Sequence, residues 1–166
     1  MSLIKEDGSI VTDADTYVSI TDLAAYAVNY GATLPTTDAG KETLLRKAMD
    51  YLARYTEKWK GTRVDDAQSL DWPRSGVYVD GVLRAEDEIP RELFYAQLSL
   101  AVAAIGTTLL PVQAAGEKGP VTRETVDVIT VQYANPGRIL SVAADATADA
   151  LLRVLLRRSG LEVIRA

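Results

Sequence analysis

The 166-residue chain contains no cysteine and no histidine. The first absence excludes disulfide frameworks and thiol nucleophiles, and the second removes every His-based triad and general base. Together they exclude Cys and Cys/His zinc sites. What remains open to an enzyme is a carboxylate pair, a Ser–Lys arrangement or Tyr, and no spacing points to any of them. The phosphate loop G-x-x-x-x-G-K-S/T is missing, because Gly40-Lys41 is followed by Glu42 and Pro35 stands where the first glycine belongs. Asp13 and Asp15 have the spacing of a two-carboxylate metal pair, yet no third acid or glycine follows at calcium-loop positions. Glu86, Asp87 and Glu88 read as charges complementing the start of a helix. The chain is therefore expected not to be an enzyme and to use no metal and no cofactor.

What is present is the composition of an ordinary globular chain, 48% apolar and 25% charged, in a length that fits one domain over residues 1–166. The formal charge of −5 is uneven: residues 1–40 hold six acids against Lys5, and the remainder holds 17 acids and 17 bases. An acidic front and a neutral body make a poor general binder of phosphate backbones, so nucleic-acid binding needs a local cationic patch. Leu93 to Gly116 form 24 positions without a charge. Gln97, Ser99, Gly106, Thr107, Thr108, Pro111 and Gln113 interrupt them, which favours a buried helix over a membrane span, and no membrane partner is expected.

Residues 1–18 read as an extended N-terminal segment. Ser19 and Asp22 have capping-box spacing for a helix over about Ile20–Asn29 that stops at Gly31. Thr37 or Asp38 opens a second helix reaching about Lys58, with Leu44, Leu45, Ala48, Met49, Leu52, Tyr55 and Trp59 at helical spacing and Glu42–Arg46 and Asp50–Arg54 as exposed pairs. A small hairpin is expected around Asp80-Gly81. A third helix, about Pro90–Leu109, is apolar nearly all round and must be wrapped by others. A mobile loop follows over about 111–125, and Thr122–Tyr133 is rich in β-branched residues and reads as a strand or hairpin arm. A last helix over about Ala143–Ser159 has acids early and Arg153, Arg157 and Arg158 late. The expected fold is mainly α: a small helical bundle around a central apolar helix, with a small β-hairpin or strand element.

The most informative cluster is Lys58, Trp59, Lys60, Arg63, Gln68, Trp72 and Arg74, which places both tryptophans within seventeen residues. Three readings stand. The indoles stack on unpaired bases while the cations follow the backbone, although Asp65, Asp66 and Asp71 oppose this. The cluster docks a protein partner, for which Trp and Arg are common anchors. Or Trp59 and Trp72 close the bottom of the core, with an arginine over a ring.

The run Tyr51-Leu52, Trp59-Lys60-Gly61, Arg63, Gln68-Ser-Leu-Asp-Trp-Pro-Arg74 and Glu88-Ile-Pro90 resembles a family of tailed-phage and prophage proteins labelled DnaT-like and single-stranded-DNA-binding. Ala14 to Ser19 and Val128 to Ala134 match the same family. Its size, helical content and usual context are also similar to those of head-to-tail connector proteins, small adaptors that form rings beneath the portal. Of the two functions this implies, the connector is taken as the main expectation. The acidic front suits a ring contact with a neighbouring copy, the strand near Val126–Val131 is too apolar to stand alone, and a net negative subunit suits a channel through which DNA slides. The partners expected are then copies of the chain in a ring, assembled on a template if need be, portal and tail proteins, and DNA passing through without sequence-specific contact. The location expected is the virion, and the bacterial host cytoplasm during assembly. Trp59, Lys60, Arg63, Trp72 and Arg74 are expected at a subunit or partner contact, so that replacing Arg74 weakens assembly and spares the helices. Val126, Val128, Ile129, Val131 and Tyr133 are expected at ring closure or docking. The competing function is single-stranded DNA binding.

Overall fold

A computed structural model of the chain describes residues 3–109, 121–125, 130–133 and 146–157. Helix α1 spans Ile20–Tyr30. Ser19 accepts from the Asp22 N–H while the Asp22 carboxylate accepts from the Ser19 N–H, and Gly31 ends the helix at φ 66°. Helix α2 spans Asp38–Leu52, capped by Thr37, and gives way to a 3₁₀ turn at Ala53–Tyr55. It therefore stops short of Lys58. The Glu42–Arg46 pair forms at 3.6 Å, whereas Arg54 lies over the Tyr51 ring.

Helix α3, Arg91–Ala103, packs against α1, α2 and the short α4, Ala146–Leu152. Its Leu93, Ala96, Leu98, Leu100 and Ala101 are buried in one core with Leu23, Leu45, Ala48, Trp59, Trp72, Leu152 and Leu155. The apolar 93–116 run is thus a wrapped helix in its first part, and no described helix is long and apolar enough to cross a membrane.

Three separate two-stranded antiparallel ladders accompany the helices: β1 (Thr62–Arg63) with β2 (Arg74–Ser75), β3 (Tyr78–Val79) with β4 (Val82–Leu83), and β5 (Val121–Thr125) with β6 (Thr130–Tyr133). The helices gather around the apolar α3 as expected, while the β part exceeds the one element expected, so the described fold is mixed α/β. Ladders only two residues long leave no alternating pattern in the sequence. The β3–β4 hairpin is the exception, since Asp80 and Gly81 both take positive φ, 52° and 80°, in the turn that Asp-Gly favours. The end of the loop expected over 111–125 is strand β5, and the expected strand arm over 122–133 is a hairpin of β5 and β6. Val126, Val128 and Ile129 lie outside the described residues; Val131 pairs with Glu124 and Tyr133 with Val121.

Residues 3–18 carry no helix or strand. They close into a clasp through the Lys5–Thr16 bridge and a buried carboxylate, Glu6, which accepts from the N–H groups of Gly8, Ile10 and Val11. Those three bonds offset the cost of burying an acid.

Candidate nucleic-acid interface

Trp59, Lys60, Arg63, Trp72 and Arg74 come together, but not as one exposed surface. Trp59 follows the 3₁₀ turn, where the chain leaves helical spacing to pair with Leu155–Arg157, just after α4. Trp59 bridges Leu156, the Lys60 N–H donates to the Leu155 carbonyl at 3.0 Å, and the Arg157 N–H donates to that of Lys58 at 2.7 Å. This pairing seats the Trp59 ring against Trp72, with centroids 5.9 Å apart and planes at 83°. The two rings are 1% and 0% exposed, so neither has a face on which a base can stack. Both lie in the core, which is the third of the three readings of the cluster. The Trp72–Pro73 peptide is cis, and the Trp72 N–H donates to the Tyr17 hydroxyl at 3.3 Å. Burial pushes the Tyr17 hydroxyl well above its ordinary pKa, which keeps it protonated.

Arg74 is also internal, at 7% exposure. Its guanidinium donates to three backbone carbonyls: Nε to Lys60 at 2.8 Å, Nη2 to Gly61 at 3.0 Å and Nη1 to Asp71 at 3.2 Å. The planar fork ties β2 to the loop before β1 and is occupied in doing so. Burial lowers its pKa, with the fields of Arg157 and Arg63 adding to this and Asp71 opposing it, so positive charge converges here. Asp71 is the carboxylate that bonds within the group. It accepts from the Trp59 indole N–H at 3.1 Å, the Thr56 hydroxyl at 2.8 Å and Arg63 at 2.9 Å. From the sequence Asp71 reads only as an opposing charge; in the fold it organises the cluster.

Several cations lie around this buried layer, with the exposed Asp80 among them. Lys60 is half-buried and donates its ammonium to the carbonyls of Val154 at 2.7 Å and Tyr78 at 3.2 Å. Arg157 donates to the Gly61 carbonyl at 3.3 Å from the other side. Lys58, Arg63, Arg153 and Arg157 are exposed, and Lys58 sits 5.8 Å from the Tyr55 ring. Lys60 and Arg153 share the wall of a depression of about 510 Å³ with Val79, Asp80, Val154 and Leu156. Tyr78, whose carbonyl accepts from Lys60, is 56% exposed. Arg153 and Arg157 had read as complements to a helix dipole. The pairing of the loop after α2 with Leu155–Arg157 brings Arg153 to Lys60 and Arg157 to Gly61.

Over residues 1–166 the chain matches the family described as "Putative DnaT-like ssDNA binding protein". No curated protein and no solved structure matches it. The match falls on single-stranded DNA binding, the competing function, and overturns the head-to-tail connector. The ring of copies, the portal and tail partners and the virion location were tied to the connector, and nothing in the match supports them. An interaction with DNA is what the match supports, and the chain belongs to the DnaT-like single-stranded-DNA-binding family.

Proposed function

We propose that this protein binds single-stranded DNA without catalysing a reaction, in the cytoplasm of a bacterial host, and that the rim of Lys58, Lys60, Arg63, Arg153 and Arg157 follows the phosphate backbone. The observation that carries the placement is the convergence of Lys60, which reaches the Val154 carbonyl, Arg157, which reaches the Gly61 carbonyl, and Arg153, which lines one depression with Lys60, within a protein whose net charge is −5. Affinity for phosphate comes from local neutralisation, and a confined cationic rim on a net acidic chain supplies it without general adhesion to nucleic acid. Tyr78, next in sequence to Val79 of the depression, is exposed.

The test is a fluorescence-anisotropy titration of the whole chain with a labelled oligo-dT at about 50 and 200 mM salt. Binding is expected to weaken steeply with salt. The double substitution Arg153→Glu with Arg157→Glu is expected to weaken it further and flatten the salt slope by about one unit per lost phosphate contact. No binding at the lower salt, or binding untouched by the double substitution, rejects this function or this surface respectively.

A further inference from the structure

A second surface, on the other helices, has the chemistry of a site for an unpaired base. Tyr26 and Tyr30 lie one turn apart on α1 and stack at 4.2 Å with planes 21° apart. Tyr95 of α3 approaches Tyr26 at 6.2 Å and its neighbour Phe94 at 5.6 Å. Between the helices lies a cleft of about 430 Å³ lined by these four rings with Asp22, Ala25, Asn29 and Leu98. That volume is in the range of small planar ligands. Tyr26 is buried and fixed by the core, whereas Tyr30 is 67% exposed and presents an open ring face.

Cations stand at the edge of the cleft. The Arg91 guanidinium is 5.1 Å from the Tyr95 ring centre and the Lys5 ammonium 5.4 Å from that of Phe94. The acid in the lining, Asp22, is engaged by Lys5 at 3.0 Å and by the Ser19 N–H and hydroxyl at 2.8 Å each. Asn29, exposed, carries both a donor and an acceptor. An aliphatic partner would leave these polar groups unused. A nucleobase uses all of them: ring faces to stack on, an amide for its edge, and positive charge where the flanking phosphates run.

We infer that the cleft between α1 and α3 receives a base of the bound strand, stacked on Tyr30. The inference rests on the single-strand reading above, and it adds a base contact that the cationic rim does not supply. It is tested on the whole chain with two labelled strands of ~15 nucleotides, oligo-dT and an abasic strand with the same number of phosphates. Oligo-dT is expected to bind about tenfold more tightly than the abasic strand. Tyr30→Ala should remove most of that difference while leaving abasic affinity and its salt slope unchanged, and Tyr30→Phe should retain it. Because Tyr30 is exposed, its replacement spares the core. Equal binding of the two strands, or a difference that survives Tyr30→Ala, overturns the base site and leaves the single-strand reading standing. Binding of neither strand overturns both. Saturable uptake of free thymidine monophosphate that Tyr30→Ala abolishes, with no preference for oligo-dT over the abasic strand, overturns the strand as occupant.

Discussion

The rings of Trp59 and Trp72 meet edge to face at 83° with centroids 5.9 Å apart, and Asp71 accepts the Trp59 indole N–H at 3.1 Å. Among the described residues the Trp72 indole N–H has no hydrogen-bond partner, so packing alone holds that ring. Trp72→Ala is expected to cost about 3–5 kcal/mol, a large share of a domain's stability. Urea unfolding followed by circular dichroism measures this. A variant that keeps its full unfolding midpoint and loses DNA affinity would return Trp72 to the surface.

Arg74 bridges three carbonyls in a geometry that an ammonium cannot reproduce. Arg74→Lys should therefore cost about 1–3 kcal/mol through carbonyls left unsatisfied, and Arg74→Glu, which sets a carboxylate against the same oxygens, should lose the fold. Thermal unfolding of the two variants tests the order. An Arg74→Glu protein with intact helices, as the sequence alone led one to expect, would contradict the clamp.

Asp22 titrates with the start of α1. Partial burial raises its pKa, but the Ser19 N–H, Lys5 and the Ser19 hydroxyl lower it more, and the net position is below the ordinary 3.8. A depressed carboxylate contributes stability that is fully present above its unfolded pKa and is lost as pH falls through the folded one. Stability is thus expected to decline below about pH 4, and Asp22→Asn should weaken the protein at neutral pH while flattening that decline. Unfolding midpoints at neutral and acidic pH, compared between wild type and variant, decide it.

Two glycines at nearly the same backbone angle should respond differently to alanine. At Gly31, φ 66°, a Cβ meets nothing within 4 Å, so Gly31→Ala costs only the left-handed conformation, about 1–2 kcal/mol. At Gly61, φ 67°, the same Cβ would lie 2.2 Å from the Ser75 carbonyl oxygen and 2.8 Å from Val77 Cγ2. Gly61→Ala must part β1 from β2 and is expected to lower the melting temperature several degrees further than Gly31→Ala. Equal shifts would show that the ladder yields freely.

Local chemistry was legible in the sequence where its partners are local. The Ser19–Asp22 box, the Gly31 stop and the Asp80-Gly81 turn each involve residues within a few positions, and each forms. The end of α2 was not legible. The apolar spacing runs on through Tyr55 to Trp59, yet the chain breaks into a 3₁₀ turn and Trp59 pairs with Leu156, far along the sequence. The same long-range pairing explains the cluster. That Trp59, Lys60, Arg63, Trp72 and Arg74 gather could be read from their spacing. Which of them turn inward depends on distant partners, Tyr17 for the Trp72 N–H and Leu155 for the Lys60 N–H, and spacing does not carry that. The signal for the α1–α3 cleft was present in Tyr26 and Tyr30, four positions apart on one helix face, but Tyr95 joins them only through the packing of α3.

Enclosure of both indoles has a practical consequence for watching this molecule at work. Excitation at the red edge of aromatic absorption reports on the interior alone, so strand addition should leave that emission unchanged, while denaturant should shift it. Ligand contact is then read from tyrosine emission, above all that of Tyr30 or Tyr78, which are exposed. Folding and occupancy are therefore readable at separate wavelengths in the unlabelled polypeptide.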